Sequence, residues 1–160
     1  MIKGRRKMDI CALSLFIGIS VAGCAAEPPA QQPAFYRSMA QPDAELDTAS
    51  AESMISGYRR NNALGELTLD PELNRLAFEQ ARAMAARNQV DRNVSGTLAA
   101  RFKKAGYNAK ISAENVSAGY HTMAEAFSGW RDSPPHRANM LLQGATRMGI
   151  AAVYAPNSKY

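Results

Sequence analysis

Cysteine is almost missing from this chain of 160 residues: the two present, Cys11 and Cys24, both fall near its start. A domain further along the chain therefore has no disulfide to staple it and must rest on a packed core. Histidine is as scarce, with His121 and His136 alone. The serines at 112, 117, 128 and 133 lie near these two histidines, yet no Gly-x-Ser-x-Gly elbow surrounds any of them. No acid–base relay is legible, and a serine hydrolase reading has no triad to stand on. The one long apolar run, Ile10 to Val21, is too short to span a bilayer comfortably. Excess positive charge is also local. The formal net charge is +5, but removing residues 1–23 takes away Lys3, Arg5, Arg6, Lys7 and Asp9, leaving 15 Lys plus Arg against 13 Asp plus Glu. No clustered basic face is left for nucleic acid.

What the start of the chain does contain is an address. Four basic residues, the apolar run and then Val21-Ala22-Gly23-Cys24 read as a signal peptide over residues 1–23. The small residues before Cys24 resemble the lipobox of bacterial lipoproteins. That resemblance implies that Cys24 is acylated, becomes the mature N-terminus and makes the membrane a partner. The neutral Ala25 implies sorting to an outer membrane, facing the periplasm or the cell surface. Residues 24–45, rich in Pro, Ala and Gln, read as a flexible tether with no clear apolar period, in which Phe35 and Tyr36 are isolated aromatics. Residues 46–160 form the domain.

Periodicity and caps place the helices. Asp47 or Thr48 caps a helix running to about Asn62, with Met54, Ile55 and Tyr58 inward. Asp70-Pro71 opens a second, whose stripe of Leu73, Leu76, Ala77, Ala81, Met84 and Ala85 is read as core. A short third helix spans Thr97 to Lys104 and closes at Gly106. Thr122 with Glu125 fits a capping box before Met123, Ala126, Phe127 and Trp130. Ser133-Pro134-Pro135 ends that helix and starts another, carrying His136, Arg137 and Asn139. Tyr107 to Gly119 reads as an extended segment leading to a strand with Glu114, and Arg147 to Tyr154 as a second strand. The class is mixed α+β.

The residues Glu114-Asn115-Val116, then Trp130, then Ser133-Pro134-Pro135-His136-Arg137-Ala138-Asn139 closely resemble the bacterial branch of the CAP superfamily, the cysteine-rich secretory, antigen 5 and pathogenesis-related proteins with an SCP-like domain. The match runs from about Leu46 to Tyr154. It implies a CAP-type α-β-α sandwich. Such domains continue after the RMGIAAVY strand into one more, so the sequence reads as lacking its last sheet strand. The resemblance places Glu114 and His136 at the family's cavity acid and histidine, facing each other across a hollow. Where other members offer a second histidine, this chain has Asp91-Arg92-Asn93, and the further glutamate of eukaryotic relatives falls on Ser133.

Arginine cannot bind a metal, and Glu114 with His136 falls short of a tetrahedral zinc site. Asp91 would be a third ligand, although a loop aspartate is more commonly a turn former. Arg92 is instead expected to pair with Glu114 and close the cavity as a salt bridge. The expectation is therefore a monomeric, non-enzymatic module with no cofactor, binding an envelope ligand or protein through a cleft of Glu114, His136, Arg92 and Asn139. The rival is a metal-assisted hydrolase of peptide or envelope polymer using Glu114 and His136, with weakly held zinc.

Overall fold

The computed structural model describes residues 32–159, so the signal peptide, Cys24 and the first part of the tether lie outside the described residues. Local capping sets the helices. Asp47 accepts from the Ser50 N–H at 2.9 Å and opens α1, Thr48–Arg60. Asp70 accepts from the N–H groups of Glu72 and Leu73, and Pro71, which lacks the N–H a first turn leaves unpaired, starts α2, Pro71–Arg87. Thr97 caps α3, Leu98–Ala105, which ends at Gly106 with φ 67°, a left-handed turn that glycine adopts without strain. The Thr122–Glu125 capping box is complete at α4, Met123–Asp132. Ser133 ends α4 and precedes α5, Pro134–Met140, holding the N-cap position without a side-chain bond.

The core joins α1 and α4 to the middle of the chain. Ala51 and Ile55 of α1 and Met123 of α4 are buried with Leu67, Met148 and Ile150, and Phe127 and Trp130 pack at its margin. Tyr58 meets Phe127 edge to face, with centroids 5.5 Å apart, the arrangement aromatic quadrupoles favour. Arg59, one turn beyond Ile55, is 1% exposed. Its guanidinium donates to the carbonyls of Gly65, Met140, Leu142 and Ala145 at 2.8 to 3.1 Å. Burial lowers its pKa from the ordinary arginine value. One side chain thus ties α1 to the end of α5 and the loop behind it.

The sheet is shorter than the sequence suggests. Among the described residues it consists of β1, Thr68–Leu69, and β2, Arg147–Met148, paired in parallel with Thr68 opposite Arg147 and Leu69 opposite Met148. Asp70 donates its N–H to the Met148 carbonyl at 2.9 Å, and then Pro71 turns β1 into α2. On the other side, Gly149 lies so close to the backbone of Leu73 and Asn74 that no Cβ fits, and the Ile150 N–H is taken by the Asn74 side chain at 2.8 Å. The start of α2 therefore captures the chain after Met148, and residues 149–154 form no ladder. Nor do residues 107–119, so Glu114 stands on an extended segment outside any strand.

Two further elements differ from the sequence reading. The described part of the tether lies on the domain: a 3-10 turn, Ala34–Tyr36, contacts α1 and α4, Phe35 and Leu46 pack against the core, and the Met39 N–H donates to the His121 carbonyl at 2.6 Å. The apolar stripe of α2 is not closed over by core. Leu76 is its buried hydrophobic residue, while Leu73, Ala77, Ala81 and Met84 line a hollow of about 790 Å³.

Candidate functional site

With no ladder to hold it, the segment from Glu114 to Ser117 is fixed by side chains from three helices. From α3, Arg101 reaches both carboxylate oxygens of Glu114, at 2.8 and 2.7 Å. From α5, Asn139 donates to the Glu114 carbonyl at 3.0 Å and to Asn115 Oδ1 at 2.9 Å, and Asn115 in turn donates to the His136 carbonyl at 3.0 Å. From α4, the Trp130 indole N–H donates to Ser117 Oγ at 3.0 Å. Glu114, Asn115, Asn139 and the His136 carbonyl thus form one polar network with Arg101, and Trp130 holds Ser117 beside it.

The pair at its centre is largely out of solvent: the Arg101 side chain is 7% exposed and that of Glu114 17%. Arg101 also donates to the carbonyls of Gly96 at 3.2 Å and Arg92 at 3.4 Å. Gln80, buried on α2, reaches the same loop by donating to the carbonyls of Asp91 and Arg92 at 2.9 and 3.0 Å. The loop that precedes α3 is thus held from both sides.

Arg92, Asn93, Ser112, Glu114 and Asn139 line a hollow of about 290 Å³. Of the four expected cleft residues, then, Arg92, Glu114 and Asn139 come together and His136 does not join them. Its half-buried ring lines neither this hollow nor the larger one and makes no hydrogen bond with a described residue; α5 presents its carbonyl to the network instead. The guanidinium that meets Glu114 is that of Arg101, which corrects the expected pairing with Arg92. Arg92 contributes its carbonyl, and its own guanidinium has no partner among the described residues.

Asp91 caps its own turn, accepting from the Asn93 N–H at 2.8 Å. Among the described residues no three His, Cys, Asp or Glu side chains converge on one point, so the donors present do not fit the zinc site that the family suggests. His121 is exposed, and its N–H donates to Glu125 of the capping box at 2.7 Å.

Arg59 and Arg101 sit where the family resemblance places similar residues and Gln80 does not, yet one signal in the sequence marks all three. Each continues an apolar stripe with a polar residue, four places after Ile55, four after Leu76 and three after Leu98, which puts it on the inward face.

This geometry agrees with what the chain is similar to. The family model described as "CAP: Cysteine-rich secretory protein family" matches residues 52–160, and the chain belongs to that family. An uncharacterized protein of Bacillus subtilis, YkwD, is 29% identical over 120 residues, covering 66% of this chain and 46% of its own length. The chain thus spans about half of that curated relative. Among solved structures, an extracellular protein containing an SCP domain from Bacillus anthracis superposes with a TM-score of 0.62 at 23% identity, over 65% of this chain and 36% of that one. An outer surface protein of Borrelia burgdorferi gives 0.59 at 21% identity, over 66% and 83%. The first of these places the fold among bacterial SCP domains.

Proposed function

We propose that this CAP-domain protein is a monomeric binding module of the bacterial envelope, tethered through an acylated Cys24, that works without catalysing a reaction. The Glu114–Arg101 pair carries the reading. A general base must be aimed at the proton it takes, whereas both oxygens of Glu114 are turned onto a buried cation, which makes the carboxylate an anchor of its segment. The group offered to a ligand is Arg92, exposed at the 290 Å³ hollow with its donors free of described partners. A planar guanidinium beside the amide of Asn93 suits a carboxylate or phosphate, which it can grip with two parallel hydrogen bonds. The Val21-Ala22-Gly23-Cys24 motif and the words extracellular and outer surface given for two similar proteins support an envelope location, and the neutral Ala25 supports sorting to the outer membrane, facing the periplasm or the cell surface.

The test assays the chain from Ala25 onward against casein and peptidoglycan and titrates it with zinc by calorimetry. Neither turnover nor tight one-to-one zinc binding is expected, while inorganic phosphate should shift the Arg92 side-chain resonance in a saturable manner. Turnover lost in both Glu114→Ala and His136→Ala would instead make the protein a metal-assisted hydrolase.

A further inference from the structure

The larger hollow, about 790 Å³, is separate in character from the small one. One wall is the α2 stripe of Leu73, Ala77, Ala81 and Met84. Two others are the runs 112–118 and 150–154, neither of which belongs to a ladder. Among the described residues, three of the five large exposed hydrophobics, Ile111, Tyr120 and Tyr154 at 47, 43 and 39%, stand on its rim.

Three observations say what such a space receives. First, no backbone N–H of residues 108–120 or 151–157 donates to another described residue, although 114–117 are half-buried. A run of main-chain N–H groups with no partner in the domain can be met by a chain whose acceptors repeat at the spacing of a strand, which an acyl chain does not provide. Second, Gln80 is 2% exposed and lines the hollow, and its Oε1 is buried without a hydrogen bond, so a donor is wanted there too. Third, the lining is electropositive: Arg101 pairs with Glu114 and Arg147 with Asp70, which leaves Arg59 and Lys110 with no carboxylate partner among the described residues. Arg59 is satisfied by carbonyls alone, and Lys110 is exposed with no described partner.

We infer that this hollow takes an extended, acidic segment of a partner protein, which adds as a strand along residues 113–118 and 150–154 with alternate apolar side chains against α2. Main-chain hydrogen bonds supply the affinity, and the stripe of small and large residues on α2 supplies pockets for every second side chain. The excess of cations selects a segment bearing aspartate or glutamate.

The experiment uses the full chain in phosphatidylcholine nanodiscs and pans it against a display library of random twelve-residue peptides. Enriched sequences should carry acidic residues and apolar residues at every second position. The best peptide, made synthetically, should slow amide exchange in both 113–118 and 151–154 by about tenfold or more, since each new hydrogen bond protects its amide. Methylating alternate amide nitrogens of that peptide should weaken it at least about tenfold, the loss of two or more main-chain bonds. Ala81→Trp, which fills the hollow, should abolish binding, and the exposed Lys110→Glu should weaken it about threefold or more with an unchanged melting curve. No enrichment, enrichment of basic peptides, indifference to N-methylation, or protection confined to other segments would each overturn the inference. So would saturable protection of the same two segments by palmitate with no peptide selected.

Discussion

One nitrogen of Arg101 donates to both oxygens of Glu114, at 2.8 and 2.7 Å, and so fastens the middle of α3 to a segment that has no strand partner. The acid that the family resemblance marks as a cavity residue is, in this chain, half of a largely buried ion pair.

Removing the cation leaves that carboxylate desolvated and alone. Arg101→Ala is expected to cost about 3 kcal/mol in urea unfolding, the low end for breaking a buried pair from one side. Adding Glu114→Ala should return part of that loss, and the double-mutant cycle reads the coupling. Additive single effects would mean that the two side chains do not act together.

Arg59 offers a sharper contrast. Its four carbonyl partners converge on a planar fork, and lysine, a point charge with three rotatable donors, cannot reach them all. Arg59→Lys is therefore expected to destabilise the domain nearly as much as Arg59→Met, each by about 3 kcal/mol or more given charge-assisted bonds of ~1.5–3 kcal/mol. Thermal melts of both variants check this, and a lysine variant matching the parent would refute the fork.

The N–H of Leu73, then the Tyr107 hydroxyl, the N–H of Glu72 and the Arg147 guanidinium hold the Asp70 carboxyl below its usual pKa. A depressed folded-state pKa adds stability above the unfolded value of about 3.9, and that stability is lost as pH falls through the folded value. Asp70→Ala should cost about 1–2 kcal/mol at pH 7, as for other helix caps. The gap between the two proteins should narrow as the pH falls below about 4, because only the parent gains a proton there. Denaturation midpoints from pH 7 to pH 2 measure it, and a pH-independent gap would count against the assignment.

Gly149 has no room for a methyl group against the backbone of Leu73 and Asn74. Gly149→Ala must push β2 away from α2, at about 3 kcal/mol, the upper part of the usual cost of overpacking. Gly65, where a Cβ meets nothing nearby, serves as the control, and Gly65→Ala should leave the melting temperature within a degree or two.

Cys24→Ser should move the protein from the membrane fraction to the soluble one and abolish labelling by palmitate. Retention of label in that variant would exclude Cys24 as the acylated residue.

Local chemistry explains which parts of this architecture could be read in advance. Asp70-Pro71, Thr122 with Glu125, and Ser133-Pro134 mark their helices because each cap is completed within a few residues of itself. Strands are different, since a ladder needs a partner. Residues 147–154 have a strand's composition, yet the pairing stops at Met148 because Asn74, far away in sequence, takes the next N–H. Periodicity likewise told which face of α2 looks inward, but not whether anything fills the interior, and so the stripe was read as packed core. His136 shows the limit of motif reading: the motif puts it beside the Glu114 segment, but the turn of α5 offers its carbonyl there and leaves the imidazole outside both hollows.

The 3-10 turn at Ala34–Tyr36, seated on α1 and α4, also sets a working radius. If the lipid is on Cys24, nine residues separate it from Ala34, and the ten steps between the two stretch to about 35 Å at most. The domain would then patrol a thin layer next to its own bilayer, meeting molecules within that layer and little beyond it.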